Sequence, residues 1–156
     1  MALIEELDTS AYVNVNFGTG SAAEAARWVE YMNGGPGTTE GRRRATYGRA
    51  EPWGVRTWGI GNEMYGLWAL GHMPPRDYAG RYLEFRGAMD EVNPGLEYVA
   101  VGADHYFNKG WNREVLAMPR TPSTFFPSTS TSRGRNASRG FLPRGPTVAP
   151  PPCTRR

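Results

Sequence analysis

Cysteine is nearly absent from these 156 residues. Cys153 stands alone, so no internal disulfide can form, and its Pro/Arg-rich setting implies no metal or redox role. Histidine is almost as scarce, and neither His72 nor His105 has partners at metal-ligand spacing, so no metal site is expected. No apolar run approaches the ~20 residues of a membrane helix, so no membrane partner is expected. The opening MALIEELDTSAYVNV carries early acids and neither a basic nor an apolar leader region; the expectation is a soluble, cytoplasmic chain. Acids are missing altogether from the end of the chain. All fifteen Asp and Glu lie in residues 1–118 beside eleven Lys and Arg, a net charge of −4, whereas residues 119–156 hold seven Arg and no acid. The overall charge of +3 therefore hides an acidic part and a basic tail, to be read separately.

Aromatic residues are plentiful, with five Trp and eight Tyr. Residues 11–17, AYVNVNF, are rich in β-branched and aromatic side chains and read as a strand. SAAEAARWVEYMNGG follows. Ser21 and Glu24 form an S-x-x-E capping box; Ala25, Trp28, Val29 and Met32 share one helical face, and Asn33-Gly34-Gly35 supplies the stop. Residues 36–54, with Arg42-Arg43-Arg44, read as a solvated loop. GVRTWGIGNE (54–63) reads as a strand ending at the polar pair Asn62-Glu63. Tyr78, Tyr82, Phe85, Met89 and Val92 then form the stripe of an amphipathic helix. LEYVAVGA (96–103) is a third strand and WNREVLAM (111–118) another helix. Alternating strands and helices indicate an α/β fold of parallel β/α units over residues 1–118. The tail, 119–156, is dominated by Pro, Ser, Thr, Gly and Arg without an apolar face, and is predicted to be disordered.

In parallel β/α folds, functional groups collect just past the carboxyl ends of strands, which is where Glu63 falls. Trp58, Tyr65 and Trp68 surround it in sequence, and aromatic enclosure would raise a carboxyl pKa into the range of a general acid. A preceding Asn can bond a sugar hydroxyl, and Trp and Tyr offer platforms for sugar faces. On the dipeptide alone, the competing reading is an exposed Glu that merely opens a loop. Gly18-Thr-Gly20-Ser-Ala-Ala23 formally matches a dinucleotide fingerprint, but the acid expected at the end of a second strand is missing, so a tight turn is the better reading and no cofactor is expected.

The wider sequence decides between the readings of Glu63. NVNFGTGSAAEAARWVEYMNG, EPWGVRTWGIGNEMYGLWALGHM, EYVAVGAD and WNREVL together resemble glycoside hydrolase family 51, the α-L-arabinofuranosidases, over about residues 3–118. The most specific element is W-G-I-G-N-E-M-Y-G with G-H-M shortly after. The resemblance implies part of a (β/α)8 TIM barrel, about its third to fifth strands, with Glu63 as general acid/base and Asn62 on the 2-hydroxyl of the sugar. It also implies that His72 of the G-H-M loop lines the substrate site, beside Trp58 and Trp68 as candidate sugar platforms, that the partner is an arabinose-containing oligo- or polysaccharide, and that full-length members are homo-oligomers. Retaining hydrolysis needs two carboxylates about 5–5.5 Å apart. The nucleophile Glu belongs to the family's seventh strand, and no carboxylate follows Glu114, so this chain is expected to have no useful turnover. Another retaining glycosidase such as an endoglucanase, or a non-catalytic carbohydrate- or nucleic-acid-binding protein, are the alternatives.

The resemblance stops after WNREVLAM, where the family continues into a sixth strand similar to IDFLSLHLY. STFFPSTSTS (123–132), read one base out of frame with TCN serine codons, permits Asp-Phe-Leu-Ser-Leu-His-Leu-Tyr-Val, eight residues after Leu116 as the family spacing requires. A single-base frameshift near residues 117–122 is therefore expected. A natural Ser/Thr/Pro linker is the other reading.

Overall fold

The computed structural model describes residues 1–103 and 110–118, and the backbone of 124–125. A short helix α1 (Ala2–Glu6) leads into β1 (Tyr12–Val15), α2 (Ala22–Asn33), α3 (Thr39–Thr46), β2 (Thr57–Ile60), α4 (Pro75–Val92), β3 (Glu97–Ala100), α5 (Trp111–Leu116) and β4 (Thr124–Phe125). The sheet is parallel throughout, and its spatial order β1-β2-β3-β4 is the chain order, without reversal. Successive strands are joined through helices, as parallel pairing demands. The predicted strands and the helices α2, α4 and α5 are all present, with the strands shorter than the apolar runs that announced them.

Strand alternation divides the sheet into two unlike faces. Val15, Trp58, Ile60, Tyr98 and Ala100 are buried in one core with Val29 and Met32 of α2, Tyr78, Tyr82, Phe85 and Met89 of α4, and Trp111 and Val115 of α5. Tyr12, Asn14, Thr57, Gly59, Glu97 and Val99 occupy the alternate positions, paired in register as Tyr12–Thr57–Glu97 and Asn14–Gly59–Val99. That face is more open: Tyr12 is 54% exposed.

The capping box forms as read. Ser21 Oγ accepts from the Glu24 amide at 3.2 Å, and the Glu24 carboxylate accepts from the Ser21 amide at 2.7 Å. Two asparagines serve as surrogate strand backbone at opposite ends of the sheet. Asn33, the last residue of α2, donates to Val55 O and accepts from Val55 N at the entry to β2. Asn112 of α5 pairs with Ala103 N and O beyond the exit of β3.

Two expectations are corrected. Residues 36–54 are not all loop, because Thr39–Thr46 is helical, capped by Thr38 Oγ1 on Gly41 N. Arg44 is not solvated: it is fully buried and its guanidinium donates to the carbonyls of Tyr31, Arg49 and Ala50. Periodicity could not reveal this, since the buried face of α3 is built from Glu40, Gly41 and Arg44 rather than from apolar residues. The tail expectation falls mostly outside the described residues, but Thr124 and Phe125 within it pair with Tyr98 and Val99 as the fourth strand. Among the described residues, no helix is long and apolar enough to cross a membrane.

Candidate active site

Past Ile60 the chain turns at Gly61 (φ +88°) and enters Asn62-Glu63, where Glu63 itself adopts the left-handed region at φ +49°. A non-glycine residue seldom sits there, and such strain tends to be held at functional positions. The loop that follows is a run of tight turns: Gly66 N donates to Glu63 O, Ala69 N to Gly66 O and His72 N to Ala69 O, and Met73 N returns to Met64 O. These turns carry Trp68 back over Glu63, and its indole N–H donates to Glu63 Oε2 at 2.9 Å. Tyr65 stands edge-on to Trp68 and also against the buried Trp111, which ties the loop to the core.

Glu63 lines a cleft between the carboxyl ends of β2 and β3, with Tyr12, Asn62, Tyr65, Val99 and Gly102 among its walls. It is the only carboxylate among the described residues lining that cleft. Asn62 also borders the adjoining hollow with Asn16, Phe17 and Leu70. The two loops that frame these spaces touch through glycines. A Cβ on Gly18 would meet Leu70 O at 2.2 Å, so the β1–α2 loop can only pass the loop after β2 this closely without a side chain there. This packing accounts for Gly18 in the formal G-x-G-x-x-A pattern without a nucleotide.

The structure brings Asn62, Glu63 and Trp68 together and parts them from the other two candidates. Trp58 is fully buried on the helix-facing side, its indole donating to Val55 O and its ring meeting Trp28. Its strand position points it away from the open face, so it offers no sugar platform here and does not help enclose Glu63, which is exposed. His72 is exposed, with Nδ1 3.3 Å from Ala69 O, and does not line the Glu63 cleft. His105 lies outside the described residues. Tyr12 was missed. Its hydroxyl lies across Gly59, where a Cβ would meet it at 2.1 Å, and partial burial raises its pKa above the ordinary phenol value. The alternate positions Tyr12, Asn14 and Asn16 of AYVNVNF are the signal that would have found it, because a period of two sets them opposite the apolar Val13 and Val15.

The profile of the α-L-arabinofuranosidase 1 domain matches residues 1–131. The chain belongs to this arabinofuranosidase family. It is 40% identical over 115 residues to the intracellular exo-α-(1→5)-L-arabinofuranosidase of Bifidobacterium longum, covering 72% of this chain and 20% of that protein. With a probable α-L-arabinofuranosidase C of Aspergillus fumigatus it shares 34% over 131 residues, 84% of this chain and 26% of the relative. The crystal structure of the Thermotoga maritima α-L-arabinofuranosidase in its arabinose complex superposes with a TM-score of 0.70 at 39% identity, over 75% of this chain and 24% of that one. A family 51 α-L-arabinofuranosidase from B. longum gives 0.70 at 36%, again over 75% and 24%. The chain thus spans about a quarter of the length of the relatives it matches. The matched segment contains Asn62, Glu63 and Trp68, and it runs through β4.

Proposed function

We propose that this arabinofuranosidase chain carries the general acid/base half of a retaining site that removes terminal α-L-arabinofuranosyl groups from arabinan- or arabinoxylan-type glycans. The observation that carries the reading is the position of Asn62-Glu63, immediately past β2 in a parallel sheet, with Glu63 the sole described carboxylate of the cleft. Glu63 as the acid gives its proton to the departing glycosidic oxygen while a second carboxylate forms the glycosyl ester. As the carboxylate it then takes a proton from the water that releases the sugar. Asn62 bonds a sugar hydroxyl, and Trp68 positions the Glu63 carboxylate beside an aromatic surface. The 156 residues hold no carboxylate after Glu114 to serve as nucleophile, so this chain alone is expected not to turn over.

The finer architecture we infer is an arc of a (β/α)8 barrel in which β1, β2 and β3 are the third to fifth strands and β4 begins the sixth. The unreversed strand order and the separation of a helix-packed face from a more open one support it. The tail after Met118 is read as a frameshifted sixth strand and its sequel. Assembly of the full-length protein into homo-oligomers and a cytoplasmic location complete the reading.

A transplant tests it. Residues 11–118 replace the corresponding segment of the T. maritima relative, restoring a complete barrel. In that protein Glu63→Ala is expected to lower kcat on unactivated arabinofuranosides by roughly 10²–10⁴-fold, the usual worth of a general acid. A nitrophenyl leaving group needs little protonation, and azide, which needs no general base, should restore turnover by forming the glycosyl azide. Full activity of the variant on unactivated substrate would sink the assignment.

A further inference from the structure

The ladder between β2 and β3 ends in an unusual way. Glu97 N donates to Arg56 O at 2.9 Å, and a parallel ladder advances by two residues on each strand. The register therefore sets Val99 N opposite Trp58 O, and Val101 N opposite Ile60 O as the next bond. That last bond is not made directly. The Tyr78 hydroxyl of α4 stands between the two groups, donating to Ile60 O at 2.8 Å and accepting from Val101 N at 2.7 Å. Both strands end at this point, at Ile60 and Ala100, and beyond it lies the cleft that holds Glu63. Tyr78 is itself fully buried, packed on Phe17, Tyr82 and Trp111. Its ring also sets the next residue, since a Cβ on Gly61 would lie 3.3 Å from both Tyr78 and Phe17.

We propose that Tyr78 is a positioning residue: its hydroxyl is a wedge that holds the carboxyl ends of β2 and β3 apart, opening the cleft and fixing the Gly61-Asn62-Glu63 turn. The proposal rests on the acid/base reading of Glu63 for its purpose, but its geometry stands without it. Removing the hydroxyl frees Val101 N to bond Ile60 O directly. The strands then zip one step further, the cleft narrows, and Glu63 leaves its place under Trp68 while the sheet keeps its hydrogen bonds.

The test reads the indole N–H resonances of the 156-residue chain by NMR, with Trp68 assigned through Trp68→Phe. In Tyr78→Phe the Trp68 resonance and the Glu63 side-chain carboxyl resonance are expected to move together, as their hydrogen bond is lost. The Trp58 resonance, bonded to Val55 O at the other end of β2, is expected to stay. Replacement of Tyr78 by 4-aminophenylalanine, which keeps a donor toward Ile60 O, is expected to restore the parental positions. In the transplanted enzyme, Tyr78→Phe should lower kcat about 10–100-fold with KM within about twofold, the scale of an ångström's misplacement. An unmoved Trp68 resonance in folded Tyr78→Phe overturns the wedge, as does a collapse of all indole resonances that 4-aminophenylalanine fails to restore. Loss of kcat in Glu63→Ala with none in Tyr78→Phe would refute the wedge and leave the acid/base reading intact; the reverse pattern would refute that reading instead.

Discussion

Arg44 offers the sharpest test of how this chain holds together the helices and turns that connect β1 to β2. The perturbation is Arg44→Met, which keeps the stem's volume and removes the guanidinium. Three carbonyls then lose their donors, those of Tyr31 and Ala50 at 2.7 Å and that of Arg49 at 3.3 Å. A buried acceptor left unpaired costs about 1–3 kcal/mol, and some of that returns as the 47–50 turn relaxes toward water, so a total of about 3–5 kcal/mol is expected. Urea unfolding followed by tryptophan emission reads it: with a slope of about 2 kcal/mol per molar, the midpoint should fall by about 2 M. Arg43→Met is the control on the adjacent residue, where the side chain is 64% exposed and meets only the Tyr47 side chain and, at 3.6 Å, Glu40; its midpoint should move by less than about 0.5 M. Equal shifts for the two variants, or a midpoint for Arg44→Met within about 0.3 M of the parent, would refute the reasoning.

The α2 cap should impose a pH signature. The Ser21 backbone and hydroxyl, bonded to the Glu24 carboxylate, hold its pKa below the ordinary 4.5, with Arg27 adding to the effect. A depressed folded-state pKa contributes stability that is complete above the unfolded value and lost as pH falls through the folded one. Thermal unfolding between pH 6 and 3 should therefore fall less in Glu24→Gln than in the parent, and parallel curves would remove the cap's contribution. The tail makes a separate prediction: the coding DNA across residues 117–132, read one base out of frame, should spell an Asp-Phe-Leu-Ser-Leu-His-like strand. Codons that give no such strand in either shifted frame leave the natural linker as the explanation.

What was legible in the sequence, and what was not, divides along physical lines. The capping box, the α4 stripe and the Asn62-Glu63 turn were legible because each depends on residues three or four apart, or on one strand end. Arg44 was not, because its partners lie up to thirteen residues away and are backbone carbonyls, which leave no trace in a side-chain pattern. Trp58 was misread for a related reason. Its closeness to Glu63 in sequence suggested a shared site, but the alternation that buries Ile60 on the helix side buries Trp58 there too.

Tyr78 joins both cases. Its place in the α4 stripe was read as core, and its ring is core. Its hydroxyl sits where Val101 N would otherwise reach Ile60 O, an interaction visible only once the register of two strands is known. Burial pushes that phenol's pKa above the ordinary phenol range, so near neutral pH the hydroxyl keeps its proton and donates to Ile60 O. A phenylalanine would satisfy the same apolar stripe without opening the cleft. The stripe therefore explains why position 78 is aromatic, and the cleft beside Glu63 explains why it is tyrosine.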